Sequence, residues 1–253
     1  ESFSCVMLNT LPNDLFVEQP FQTTVCENVF LEGIGLHSGR FVRMVIRPAP
    51  ANSGIKFRRM DISGQLSTVI AHASYAEQAR LCTRIVNSEG ITLETIEHLM
   101  AAFAGLGLDN AVVETDASEA PILDGSSQPI LDAITNVGLE ALPAKRKLMV
   151  VTNPVEVQLE LGAWARLDPS DHLQIDVKIE FDDHVIGKQA YSYKHKDGSF
   201  AAELANARTF CQLRDVELMQ NAGLALGGSL NNAIVVDDGK ILNEGGLRVE
   251  REF

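Results

Sequence analysis

Glu97 and His98 stand side by side near the start of a strongly apolar run, Thr95-Ile-Glu-His-Leu-Met-Ala-Ala-Phe-Ala-Gly-Leu-Gly-Leu-Asp-Asn110. A carboxylate and an imidazole are side chains suited to moving a proton, and an imidazole is also a common metal ligand. At about 100° per residue, Ile96, Leu99, Met100 and Phe103 share one helix face at the spacing of a buried stripe. Glu97 falls at the flank of that stripe and His98 about 200° round, facing away from it, so packing requires neither. Two readings stay open: a reactive pair, or a solvated first turn in which Glu97 complements the positive helix end and His98 is incidental.

Few other residues offer chemistry at a telling spacing. His37 lies among Gly33, Gly35 and Gly39. A polar turn residue is its commoner fate, yet glycines on both sides let backbone approach a ligand closely. Neither it nor His72, His172, His184 and His195 shows the i, i+4 pairing of a helical metal site. Cys5, Cys26, Cys82 and Cys211 are widely separated and form no CxxC pair, which argues against a disulfide framework or a thiolate zinc site and fits a reducing cytoplasm. Asp124, in an Asp-Gly-Ser turn, reads as a structural turn residue. Lys56, Arg58 and Arg59, or Lys145, Arg146 and Lys147, are the basic clusters available to a phosphate, although such runs are more often solvated.

Composition narrows the classes. A chain of 253 residues can bury one large core or two of ordinary size. Hydrophobic residues at 45% and charged residues at 22% are those of a soluble globular protein. A net charge of -13 argues against nucleic-acid binding, which needs phosphate-neutralising cations. No apolar run reaches the roughly eighteen residues of a membrane span. Residues 1–20 lack the basic start and continuous apolar centre of a signal peptide, and read as a loosely held extension.

The elements that must position the pair follow from periodicity. Residues 22–30 read as a weak strand, 41–47 as a strand of strict alternation, 54–59 as another extended piece, and 81–87 as a strand closing at a Glu89-Gly90 turn. Thr92 is the expected N-cap of the helix bearing Glu97 and His98, and Gly105 and Gly107 stop it. Residues 110–115 read as a buried strand and 129–137 as an amphipathic helix. The stretch 143–147 is expected to link two domains, 21–143 and 148–253. Beyond it, strands are expected at 148–152, 155–161, 164–167, 173–181 and 232–236, with helices near 200–206 and 212–221. Leu108-Asp-Asn-Ala-Val-Val-Glu114 and Leu230-Asn-Asn-Ala-Ile-Val-Val236 repeat one cadence at an offset of 122, Asn231 against Asp109, which suggests a duplication.

The run from Thr95 to Asn110 resembles the signature of the UDP-3-O-acyl-N-acetylglucosamine deacetylase family. It is joined, in the family's order, by Gly33-Ile-Gly-Leu-His-Ser-Gly39, Arg47-Pro-Ala-Pro-Ala51, Leu81-Cys-Thr83, Pro121-Ile-Leu-Asp-Gly-Ser126, Ala207-Arg-Thr-Phe210, Gly227-Gly-Ser229 and Asn232-Ala-Ile-Val-Val-Asp-Asp238. The likeness spans residues 22–253. It implies an α+β fold of two similar two-layer β-α-α-β sandwich domains with the site at their interface. It also implies a zinc-dependent amidase that removes the N-acetyl group of UDP-3-O-acyl-N-acetylglucosamine in lipid A biosynthesis, acting in the cytoplasm as a monomer without nucleic acid.

By the same resemblance His98 is a zinc ligand, Glu97 the general base and Thr209 a donor to the oxyanion. Leu36 and His37 flank the groove with Leu81 and Cys82, and Phe181 contacts uracil, although the family's Phe-x-His-Pro reads Phe181-Asp-Asp-His184 here. Phe210, Leu213, Val216, Gly228, Ser229, Ala233 and Val235 match an acyl-chain passage, where apolar residues would equally serve a core. The remaining zinc ligands are expected beyond Phe253, so the second domain is expected to be incomplete and these residues alone inactive. The alternative is a non-catalytic binder of nucleotide sugar or acyl chains that has lost the metal site.

Overall fold

The computed structural model describes residues 20–63, 67–159, 162–196, 198–250 and 252–253. The first half runs β1 (Phe21–Val25), β2 (Val29–Ile34), β3 (Phe41–Pro48), β4 (Ile55–Arg59), β5 (Thr68–Ile70), β6 (Ala76–Glu77), β7 (Arg84–Val86), β8 (Thr92–Leu93), α1 (Glu97–Leu106), β9 (Ala111–Thr115), α2 (Gln128–Val137) and β10 (Leu139–Lys145). The second half continues with β11 (Val155–Gln158), β12 (Trp164–Leu167), β13 (Gln174–Glu180), β14 (Lys188–Lys194), α3 (Ser199–Glu203), β15 (Phe210–Gln212), α4 (Leu213–Asn221), β16 (Ile234–Asp237) and β17 (Lys240–Ile241). This is the mixed α+β class that the sequence leads one to expect.

Alternation along β3 decides where the core sits. Val42, Met44 and Ile46 are 1% exposed or less, while Phe41 and Arg43 face water. The sheet order is β2-β3-β9-β4-β5, with β9 central, antiparallel to β3 and parallel to β4. Helices α1 and α2 cover its buried face, where Leu99, Phe103, Ile130 and Ile134 pack with Met44, Ile46, Phe57 and Val113. The chain passes from β4 to β9 by way of the small β6-β7-β8 sheet and α1, so the helix carrying Glu97 and His98 is laid down just before the central strand.

The second half holds β16 between parallel β15 and antiparallel β17. Strands β9 and β16, matched by the repeat, therefore each lie between one parallel and one antiparallel neighbour, and each follows a buried asparagine, Asn110 and Asn232. The pairs β11-β12 and β13-β14 are separate antiparallel hairpins with half-exposed apolar faces. The halves meet along their helices: Leu131, Tyr193, Phe200 and Ala205 form a shared apolar cluster. A Cβ on Gly105 of α1 would stand 2.2 Å from the Phe200 ring of α3, so only glycine permits that approach.

Local patterns misplace several boundaries. Residues 22–30 divide into β1 and β2 around Cys26, because β1 leaves the main sheet to pair with β10. Strand β10 occupies Pro143 to Lys145, read as linker; in a two-stranded ribbon the missing proline N–H need not face a partner. No strand forms over 148–152, where Met149 is exposed and no neighbouring strand pairs with it. Strand β14 was not expected, although Tyr191 and Tyr193 alternate with Ser192 and Lys194. Thr92 caps no helix: it lies in β8, and α1 starts at Glu97. Residues 1–19, read as an extension, and Cys5 lie outside the described residues.

Candidate active site

Glu97 is the first residue of α1, and its Oε2 accepts a hydrogen bond from the Thr83 backbone N–H at 3.0 Å. Leu81 and Cys82 are thereby brought beside the acid. Leu81 at φ +62° and Thr95 at φ +55° both lie in the left-handed region that bulky and β-branched residues avoid. Burial, reinforced by the Glu94 and Glu97 carboxylates, pushes the Cys82 thiol up, against hydrogen bonding from Thr95. A raised thiol is a poor nucleophile near neutral pH, which argues against a covalent role for Cys82.

His98 follows one residue on, and its carbonyl accepts from Ser127 Oγ at 2.9 Å, fastening α1 to the start of α2. Burial pushes its imidazole below the usual 6.5, against the opposing pull of the Glu97 and Asp124 carboxylates. A neutral imidazole offers a nitrogen lone pair.

Asp124 connects this pair to the second half. Its Oδ1 accepts from Ser126 N and Ser126 Oγ at 3.0 and 2.8 Å, and its Oδ2 accepts from Arg248 Nη1 at 2.6 Å. Burial would raise this carboxyl, but Arg248 and Ser126 outweigh it and hold it low. The next residue, Gly125, has φ +82° and accepts a 2.8 Å bond at its carbonyl from Thr209 N. A Cβ there would fall 2.1 Å from the Asn232 carbonyl oxygen. The turn thus docks the halves and sets Thr209 beside the Asp124 that faces His98. The Thr209 hydroxyl makes no hydrogen bond among the described residues.

His37 is 5% exposed and touches the other half too. Ala225 N donates to its Nδ1 at 3.4 Å, Leu226 N to its carbonyl at 3.2 Å, and Gly227 N to the Leu36 carbonyl at 3.0 Å. Gly228 lies against Leu36, where an added Cβ would be 3.8 Å from the leucine. The His37 Nε2 is buried and unpartnered among the described residues. Above it in the chain, the Glu119 carboxylate receives the His37 and Ser38 backbone N–H groups at 2.8 and 2.9 Å.

The aromatic candidates form a row of their own. Phe181 meets Phe210 edge to face at 5.4 Å, and Phe210 meets Phe253 likewise at 5.2 Å. Leu213 lines an adjoining cavity of 330 Å³ with Asp182, Asp183, Gln212, Arg214, Val236, Asp237 and Asp238. Four carboxylates make that cavity unfit for a diphosphate. Val216 is half-buried on α4, Ser229 lies in an exposed turn, and Ala233 and Val235 are buried on the face of β16 opposite Ile234 and Val236. The structure therefore brings His98 and Thr209 to the 124–126 turn and Cys82 to the neighbouring Glu97, with Leu36, His37 and Gly228 in a second contact and Phe181 and Phe210 in a third.

The basic clusters are largely committed elsewhere. Arg58 pairs with Glu114, Arg59 with Asp61, and Arg146 with Asp109 and the Gly107 carbonyl. For the zinc implied by resemblance, no three His, Cys, Asp or Glu side chains come together as a metal-holding group among the described residues. His98 offers one nitrogen where a catalytic zinc takes three protein ligands, so the described residues do not by themselves fit the ion. Four residues escaped the sequence reading: Glu119, Arg248, and the buried pair of Arg208 with Glu252, whose Nε–Oε1 distance is 2.6 Å. No local signal marks Glu119, which follows Ala117-Ser118 and precedes Ala120-Pro121, a setting an exposed acid would share.

No helix among the described residues is long and apolar enough to cross a membrane. The family model of UDP-3-O-acyl N-acetylglycosamine deacetylase matches residues 22–253. The UDP-3-O-acyl-N-acetylglucosamine deacetylase of Shewanella pealeana is 42% identical over 235 residues, which are 92% of this chain and 76% of that protein. Those of Idiomarina loihiensis and Pasteurella multocida are 40% and 41% identical over 234 residues, with the same shares covered. A match this long makes the chain a member of the UDP-3-O-acyl N-acetylglycosamine deacetylase family.

Proposed function

We propose that the protein hydrolyses the N-acetyl amide of UDP-3-O-acyl-N-acetylglucosamine, a step of lipid A synthesis, releasing acetate and the free sugar amine. The observation that carries this reading is the Glu97–His98 pair at the head of α1, with the Asp124-Gly125 turn tying it to Thr209. Amide hydrolysis needs a base for the attacking water and a hydrogen-bond donor for the carbonyl oxygen as it becomes an oxyanion. Glu97 takes the proton, oriented by the Thr83 N–H. Thr209 supplies its unengaged hydroxyl to the oxygen. His98 offers one neutral nitrogen beside the acid, where a zinc ion completed by ligands other than the described residues would be held. Phe181 and Phe210 would take the uracil and acyl portions. The free Cys26, Cys82 and Cys211 fit a reducing cytoplasm, and we read the protein as a monomer there.

The test is acetate release from that substrate by the protein as cells produce it. Glu97→Ala should lower kcat by about 10²- to 10⁴-fold while leaving metal content and substrate affinity nearly intact. His98→Ala should lose metal as well. Full turnover by Glu97→Ala would remove the acid from the reaction, and tight nucleotide-sugar binding without acetate release in the unaltered protein would replace this reading with the non-catalytic binder.

A further inference from the structure

Glu119 is 2% exposed, and no cation pairs with it among the described residues. Its carboxylate is held instead by three neutral donors: His37 N and Thr95 Oγ1 on Oε1, at 2.8 and 3.0 Å, and Ser38 N on Oε2, at 2.9 Å. A buried carboxylate is costly unless its lone pairs are satisfied, so the three contacts must be kept together. The backbone around it is clamped as well. Glu94 N donates to the Ser118 carbonyl and Ala120 N to the Glu94 carbonyl.

Two features turn on this one group. Thr95 sits at φ +55°, a conformation that β-branched residues avoid, and its hydroxyl is anchored on Glu119. Helix α1 has no side-chain cap, so what sets its starting direction is this reversed residue two positions before Glu97. The other feature is the 35–39 turn, where a Cβ on Gly35 would lie 2.4 Å from Glu119 Oε2. That turn in turn contacts Ala225, Leu226 and Gly227 of the second half.

We propose that Glu119 is a positioning residue: by holding Thr95 in the left-handed conformation and the 35–39 turn on the same carboxylate, it aims the first turn of α1 at the crevice and fixes the opposing wall. Its effect on turnover rests on the function proposed above; its effect on geometry does not. In Glu119→Ala the His37 and Ser38 N–H groups lose their acceptor, and Thr95 is released from its anchor. Misplacement of a reacting group by about 1 Å costs on the order of 100-fold, so kcat should fall about 10- to 100-fold with KM within about threefold. Adding Thr95→Asn, which adopts positive φ more readily than threonine, should recover at least roughly fivefold of that loss.

A second readout needs no turnover. The Cys82 thiol lies against Thr95. Its alkylation by iodoacetamide, followed peptide by peptide in the mass spectrometer, should quicken several-fold in folded Glu119→Ala and slow again on adding Thr95→Asn. Should Glu119→Ala fail to fold, Thr95→Ala against Thr95→Ser decides the matter, since only the serine keeps the hydroxyl and only the alanine should expose Cys82. Unchanged Cys82 rates in folded Glu119→Ala, or equal rates for the Thr95 alanine and serine variants, would overturn the proposal. A protein that releases no acetate but shows the Cys82 pattern would sink the proposed function and leave Glu119 in its role.

Discussion

Thr209 allows the oxyanion side of the reaction to be tested apart from the acid. Its backbone N–H and carbonyl bond Gly125 and Ile234, so both structural ties survive a change of side chain. Thr209→Val keeps the shape and removes the hydroxyl; kcat should fall on the order of 10²- to 10³-fold with KM little changed, and Thr209→Ser should recover most of it. Steady-state kinetics on the three proteins decide this, and an unchanged kcat would take Thr209 out of the chemistry. Single residues were unevenly legible. Glu97 and His98 could be picked out because the apolar stripe of their helix has no use for them. Glu119 and Arg248 could not, because the partners that give them meaning lie 82 and 124 residues away, at His37 and Asp124. Local sequence does not encode which acid is buried.

Among elements, those whose faces differ sharply were readable: β3 and α2 from their periods, α4 and β16 from an apolar pattern bounded by polar turns. The start of α1 was misread at Thr92 because a good capping residue competed with a tertiary constraint, the grip on Thr95, that periodicity does not register. Strand β10 was hidden by Pro143, which a central strand would reject and a ribbon accepts. Gly105 sets two element-scale forces against each other. Alanine there gains about 1 kcal/mol of helix propensity, but overpacking against the Phe200 ring at 2.2 Å costs about 1–3 kcal/mol. Because α1 and α3 cannot both stay in place, packing wins. Gly105→Ala should lower the denaturation midpoint, and a Phe200→Leu background should erase most of the loss. A Gly105→Ala protein more stable than the parent would mean that the two helices are not in contact in solution.

For the whole molecule, the buried Arg208–Glu252 pair ties the segment 246–252 to the approach to β15. Burial alone would raise the Glu252 carboxyl, but Arg208 and the backbone N–H groups of Arg248 and Arg208 outweigh it and hold it below its ordinary 4.5. With the folded value the lower one, this contribution is fully present above pH 4.5 and fades as pH falls through the folded value. Melting temperature should therefore decline in acid. Glu252→Gln should cost about 3–5 kcal/mol at neutral pH, by stranding Arg208, and then decline less steeply. Parallel acid slopes for the two proteins would assign the sensitivity to other groups. The sheet order of the first half has a consequence in time. During synthesis β3 and β4 leave the ribosome with the slot between them unfilled, and β9, which fills it, follows only after α1. At about 5–20 residues per second that interval lasts roughly 3–10 s. Two open strand edges must wait through it, so the nascent chain is most prone to wrong pairing while α1 is being made, and chaperone dependence should peak there.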